Sequence, residues 1–317
     1  MNNTLINSRC ICGEGLPWIK TEVIMIEPCE HLIHLKCLKN AQSCPYCNKQ
    51  ITHIVKALDY KNYPKLHQKC IDIISMTNYD HLSKKNHKHM IENLPLLLSS
   101  IAQLPFTKGI KAGKNLLVDF FKLNNIEIHV NGLNKVKKNE PKVFIAPHTS
   151  HFDFMAIFYV FETGFLSSAA INHNPLSKML TGVIPLLIVD RTKKENTVDK
   201  MKEYVKSTGS ICLFPEGMLT HPNTLIRFRT GAFHVGYPIY PLLIHYDNIV
   251  ADMSIADFIF KLASKQTIRI DITVMNPYYP PFDDDKIEKI RCAMADKGGY
   301  AISRVSNRDI KEQNKVN

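Results

Sequence analysis

Lys142-Val143-Phe144-Ile145-Ala146-Pro147-His148-Thr149-Ser150-His151-Phe152-Asp153 leads directly into the apolar run Phe154 to Phe161. The first six residues are a short hydrophobic run closed by proline, which predicts a buried strand; Phe154 to Phe161 predicts an apolar helix. His148 therefore leaves a strand end, and Asp153 opens the next helix. On one regular helix an offset of five residues would turn the two side chains about 140° apart. A turn between strand and helix folds them together instead, which is the geometry of a general base held by an orienting acid. The plainer alternatives are a buried, satisfied histidine and an aspartate that only caps its helix. His151 is the weaker base of the two histidines.

Outward from this stretch the pattern alternates. Ile126 to Val130, Val143 to Ala146, Leu166 to Ile171, Ile184 to Val189, Ile211 to Phe214, Ile239 to Tyr246 and Ile268 to Met275 read as strands. Asn196 or Thr197 caps a helix with Val198, Met201 and Val205 on one face, and Gly209 stops it. Asp283 to Lys297 reads as a terminal helix. Strands alternating with helices predict an α/β fold: a mixed, mostly parallel sheet flanked by helices. Chemistry in such sheets collects at the carboxyl ends of the strands. Three predicted ends deliver polar groups there: His148, Arg191 after Ile188-Val189-Asp190, and Glu216-Gly217 after Phe214-Pro215.

Between these and the amino terminus lies Leu94 to Phe106, an apolar run of 13 residues interrupted by Pro95 and Pro105. Spanning a bilayer takes about 20 apolar residues. The segment either lies in a membrane interface, with Lys108, Lys111 and Lys114 near headgroups, or packs as a helix on the core. Residues 57–90 are rich in Lys, His, Asn and Tyr and read as a basic linker or surface helix.

A chain of 317 residues suggests two domains of roughly 150 residues each. The net charge of +11 suits an anionic partner. No basic motif with interleaved aromatics is present, so nucleic acid is not expected; an anionic membrane surface or phosphate-bearing substrates fit better. The first residues lack a basic segment followed by an apolar one, and no secretory signal is expected.

Six of the nine cysteines fall in the first fifty residues: Cys10, Cys12, Cys29, Cys37, Cys44 and Cys47, interleaved with His31 and His34. This reads as a metal module rather than a disulfide framework, in keeping with a reducing, cytoplasmic compartment. The run from Cys29 to Cys47 matches the later six ligand positions of a RING finger of the two-histidine type. That resemblance implies two structural zinc ions in a cross-braced pair of sites, Cys10, Cys12, His34 and Cys37 in one and Cys29, His31, Cys44 and Cys47 in the other. It also implies a ubiquitin-conjugating enzyme as a partner, with Ile11 as an apolar contact. Two departures stand against it: Cys10 and Cys12 are one residue apart where two is usual, and Asn48 stands where a basic residue is common.

Residues 115 to 300 resemble the glycerophospholipid acyltransferase superfamily, and within it the lysophosphatidylcholine acyltransferase-like branch. The matching stretches are Ala146 to Asp153, Val189 to Arg191, Phe214 to Gly217, Arg227 to Phe233, Tyr237 to Tyr246 and Val274 to Pro281. The resemblance implies an acyl-CoA-dependent O-acyltransferase acting on lysophosphatidate or lysophosphatidylcholine, peripheral on a membrane. His148 and Asp153 would be catalytic; Glu216 and Gly217 would hold the glycerol or headgroup, and Arg191 and Arg229 the acceptor phosphate. Met218 replaces the threonine that usually follows the glycine, with Thr220 as a substitute hydroxyl. Pro238 to Pro241 would line the acyl side. The expected organisation is a RING-like module over 8–56, a linker over 57–90 and an acyltransferase domain over 91–317. A ubiquitin ligase whose second domain only docks lipid is the alternative.

Overall fold

In the computed structural model the described residues are 10–12, 23–56, 72, 87–169, 182–190, 196–222, 224–247, 259–260, 262–265 and 267–316. Near the amino terminus β1 (Val23–Glu27) pairs antiparallel with β2 (His31–His34) and with β3 (His53–Lys56), in the order β2-β1-β3. A one-turn helix, α1 (Leu35–Leu38), follows β2. Ile24, Met25, Ile26, Leu32 and Ile33 are fully buried between these strands and the cysteines. So small a core does not sustain a fold on burial alone.

Helix α2 (His87–Ala102) carries Pro95 in its interior and is followed by a 3-10 turn, Leu104–Phe106, and by α3 (Ile110–Leu123). The linker boundary expected at 90 therefore falls inside a helix. Most of 57–86 lies outside the described residues; Asp72 does not, and its Oδ1 accepts from Ser303 Oγ and the Arg304 amide at 2.9 Å each. That position is tied to the main body rather than solvated.

The main sheet has seven strands in the order β4-β11-β10-β5-β8-β6-β7. These are β4 (Ile126–Asn131), β5 (Lys142–Ile145), β6 (Gly164–Ser168), β7 (Leu186–Val189), β8 (Ser210–Leu213), β10 (Ile239–Tyr246) and β11 (Ile268–Val274). Only β10 and β11 run antiparallel; every other neighbour in this sheet is parallel. A small pair, β9 (Thr224–Leu225) and β12 (Ala301–Ile302), lies apart.

Both faces of the sheet are covered, which is why its central strands read as continuous apolar runs rather than alternating ones. Phe144 and Ala146 point to one layer, with α2, α3 and α4 (Phe152–Phe161); Val143 and Ile145 point to the other, with α5 (Thr197–Thr208) and α6 (Asp284–Gly298). Asn196 caps α5 by accepting from the Asp199 amide, and Gly209 ends it in the left-handed region at φ +86°. Asp283 caps α6 in the same way, and a further helix, α7 (Asn307–Val316), follows. The predicted strand over 166–171 is observed as β6, ending at Ser168; residues 170 and 171 lie outside the described ones.

From β5 the chain crosses over one face, through α4, to β6; from β8 it crosses the other face to β10 on the far side of β5. The neighbours β5 and β8 thus mark the point where strand order reverses. Their carboxyl ends open a crevice there.

Candidate active site

The loops after β5 and β8 build the site. Nδ1 of His148 lies 2.9 Å from Oδ2 of Asp153. A carboxylate only accepts, so Nδ1 carries a proton, and in the neutral ring Nε2 keeps its lone pair. Asp153 has no exposed surface, whereas His148 is 20% exposed. The buried carboxylate is well furnished with donors. Its Oδ2 also accepts from the amides of Thr149 at 2.7 Å and Ser150 at 2.9 Å, and its Oδ1 accepts from the Tyr246 hydroxyl. Because Asp153 sits in the first turn of α4, the free amides of the helix start favour its charge. The same side chain thus holds the turn before α4 and the ring of His148. The ring of His148 is fixed from its other side by Phe214, stacked at 4.1 Å between centroids and 15° between planes.

Glu216 also has no exposed surface. Oε1 accepts from the His148 amide at 3.3 Å; Oε2 accepts from Thr220 Oγ1 at 2.9 Å and from the Ile226 amide at 3.0 Å. Burial pushes its carboxyl up to about 7, against the pull of these donors. Glu216 was expected to hold the glycerol or headgroup; both its oxygens are engaged inside the protein, and the side chain braces the loop after β5 from behind. Thr220 is buried with it, its amide donating to the His148 carbonyl at 2.8 Å, so it is not a substitute hydroxyl facing the crevice. Met218 packs against Ile226, Val305 and Ile310.

Gly217 has φ +73°, and a Cβ placed there would lie 2.9 Å from Cδ of Arg229. The glycine therefore meets both demands of its position, the left-handed backbone and the close passage of Arg229. Arg229 is exposed, and its amide donates to the Pro215 carbonyl at 2.8 Å. Arg191 lies outside the described residues.

A cavity of about 290 Å³ opens beside His148, lined mainly by apolar side chains from α2, α3, α4 and β6, including Leu97, Leu116, Phe120, Met155 and Phe165. His151 and Ser167 are among its few polar groups. The arrangement offers an unprotonated imidazole nitrogen at the mouth of a hydrophobic chamber. Pro238 and Pro241, expected on the acyl side, are not part of that lining. Pro241 instead sits within β10, beside Ile145 of β5.

The turn expected to bring His148 and Asp153 together is observed, whereas the contacts of Tyr246, Phe214 and Thr220 around them were not anticipated. The one available signal for Tyr246 was parity: Tyr240, Leu242, Ile244 and Tyr246 alternate onto one face of β10.

Away from this site, Cys10, Cys12, His34 and Cys37 form one group, and Cys29, His31, Cys44 and Cys47 a second; within each, all ligand atoms lie within 4.8 Å of one another. Cys12 Sγ is 3.5 Å from His34 Nδ1, and Cys44 Sγ is 3.6 Å from His31 Nδ1. Those separations fit the edge of a tetrahedron with bonds of about 2.3 Å to sulfur and about 2.0 Å to nitrogen. The donor sets suit zinc, and the short Cys10–Cys12 spacing does not keep that pair from sharing one site.

The fold and site define an α/β protein with a histidine–carboxylate pair at the switch point of its sheet. Comparison with known proteins makes this more specific. Residues 127–245 match the acyltransferase family model. Lysophosphatidylcholine acyltransferase 2 of Homo sapiens is 34% identical over 119 residues, covering 34% of this chain and 21% of that protein. Lysophosphatidylcholine acyltransferase 2B of Mus musculus is 26% identical over 194 residues, covering 56% of this chain and 37% of that protein. The aligned part thus spans well under half the length of either relative. Among solved structures, the 1-acyl-sn-glycerophosphate (LPA) acyltransferase PlsC from Thermotoga maritima aligns with a TM-score of 0.47 at 15% identity, over 66% of this chain and 97% of that one.

Proposed function

We propose that this protein transfers a fatty acyl group from acyl-CoA to the free hydroxyl of a lysophospholipid, with lysophosphatidate or lysophosphatidylcholine as acceptor. The observation that carries the reading is the position of His148: Nδ1 held by Asp153, with the ring at the mouth of the apolar cavity. A lipid hydroxyl is a poor nucleophile until it loses its proton. Nε2 takes that proton while the hydroxyl oxygen attacks the thioester carbonyl. The tetrahedral intermediate then collapses, the C–S bond breaks, and the imidazolium returns the proton to the departing CoA sulfur. Asp153 stabilises the imidazolium between these steps without itself being protonated. The acyl chain occupies the cavity; Arg229, lying over Gly217, and Arg191 are assigned to acceptor phosphate.

No helix among the described residues is long and apolar enough to cross a membrane. Helix α2, the 3-10 turn after it and α3 nevertheless expose Ile91, Leu98, Phe106 and Ile110, with Phe106 at 87%, close in sequence to Lys108 and Lys111. Such a patch beside cations suits a peripheral seat on an anionic membrane. The cysteine–histidine groups are assigned two structural zinc ions whose binding supplies folding free energy to the amino-terminal module over residues 8–56, and the catalytic domain is assigned to the body from α2 onward.

The test is turnover by the purified full chain of radiolabelled acyl-CoA against a panel of lysolipids, with His148→Ala as control. Ester formation lost in the variant is the expected result. Ubiquitin chain formation without any acyl transfer in the same preparation would replace this reading with that of a ligase.

A further inference from the structure

We infer that Tyr246 is a positioning residue for the acyl-transfer reaction, its phenol holding the second oxygen of Asp153 and setting how strongly that carboxylate supports the His148 imidazolium. This rests on the proposed function and deepens it. The geometry is a chain of contacts: the Tyr246 hydroxyl donates to Asp153 Oδ1, and Asp153 Oδ2 accepts from His148 Nδ1 at 2.9 Å. The two partners are 93 residues apart and come from different elements, the end of β10 and the first turn of α4. Local helix geometry therefore does not explain the bond. The turn before α4 is already held at the other oxygen, where the Thr149 and Ser150 amides donate.

Physical chemistry gives the bond a direction of action. Each donor on a carboxylate draws off negative charge, so less remains to stabilise a neighbouring cation. Removing the phenol hydroxyl leaves Asp153 more basic and His148 easier to protonate, and it frees the carboxylate to turn. The other ionisable groups facing Asp153 are Cys212 of β8, Tyr300 before β12 and, across His148, Glu216. Burial pushes the thiol and the Tyr300 phenol up, so both stay neutral. Burial and the adjacent Asp153 do the same for Tyr246, which keeps it a donor throughout the working range.

The experiment is Tyr246→Phe in the full chain, read as kcat and KM across pH, alone and in the Asp153→Ala and Glu216→Gln backgrounds. The expected result is a fall in kcat of roughly 10- to 100-fold with KM changed by less than about two-fold, and an acid limb of kcat/KM moved to higher pH. No further fall is expected once Asp153 is gone, since Tyr246 acts through it. An unchanged kcat, a uniform loss with the limb fixed, or a shift that disappears with Glu216→Gln overturns the inference. Inactivity of the unaltered chain would instead defeat the proposed function. In that case the His148 Nδ1–H proton resonance, assigned by its loss in His148→Gln, still decides: it moves in Tyr246→Phe if the phenol tunes the pair, and stays if it does not.

Discussion

The backbone amide of His148 donates to Oε1 of Glu216 at 3.3 Å, so the loop after β8 holds the loop after β5 through a carboxyl group with no exposed surface. The motif glutamate thus holds the backbone of His148 from behind. Its pKa makes the consequence measurable. Burial raises the folded value to about 7 from an ordinary 4.5, so between those pH values the folded chain binds more protons than the unfolded one. The sign follows: this stabilising contribution is full below the ordinary value and is lost as pH rises through about 7. The thermal unfolding temperature should therefore fall from pH 6 to pH 8, with a loss of stability of about 1 kcal/mol. Glu216→Gln should flatten that slope in a pH series of melting curves. A slope that survives the substitution would assign the titration elsewhere.

Asp153→Asn tests the other support of His148. An amide cannot accept at both ends, so one of the donors now on Asp153 loses its partner, or the histidine adopts the other tautomer. We expect kcat to drop by roughly 10² to 10⁴ and stability by about 1–3 kcal/mol, read from steady-state kinetics and urea unfolding. Retention of more than half the activity would mean that the carboxylate only caps α4.

Gly217→Ala places a methyl group 2.9 Å from Arg229 Cδ on a backbone with φ +73°. The strain is about 1–2 kcal/mol, and Arg229 has to move to accommodate it. If Arg229 holds acceptor phosphate, KM for the lysolipid should rise several-fold while KM for acyl-CoA holds. Equal changes in both constants would remove Arg229 from the acceptor site.

The parts of this site legible in the sequence were those that one strand and its following turn fix alone. His148 and Asp153 share such a unit; away from the site, the caps of α5, Asn196 and Gly209, were legible because a cap is equally local. Glu216 was legible as a residue but not in its role. Its environment depends on Ile226 and Thr220 folding back over it, and motif order says nothing about which way a carboxyl group faces. Tyr246 was invisible for a related reason: its hydroxyl finds Asp153 only because β10 docks beside β5 with α4 above them. The helix α3 went unread because its apolar stripe, Leu116, Leu117, Phe120 and Phe121, follows Lys108, Lys111 and Lys114, which in the sequence read only as cations for a membrane interface.

The zinc assigned to the amino-terminal module is tested by its removal. With cores as small as Ile24, Ile26, Leu32 and Ile33, the strands β1 to β3 depend on the metal groups for stability. Elemental analysis should find two zinc ions per chain, and Cys44→Ser should remove one of them. A chelator should abolish the protected amides of β1 in hydrogen exchange while leaving those of β5 and β10 unchanged. Loss of protection in both regions would show that module and sheet fold as one unit.

The cavity makes the last prediction, because an apolar chamber beside a base should measure chain length. Met155 contributes to its lining from α4 and is 9% exposed. A tryptophan there takes up open volume rather than displacing packed atoms, so the melting temperature should hold within a few degrees. Each methylene denied burial costs about 0.8 kcal/mol. If the larger ring displaces two methylenes of a bound chain, kcat/KM for a long acyl-CoA falls by roughly 15-fold relative to a short one. The decisive measurement is competition between hexadecanoyl-CoA and octanoyl-CoA in one reaction with Met155→Trp. An unaltered ratio would place the acyl chain outside this cavity while leaving the pairing of His148 with Asp153 untouched.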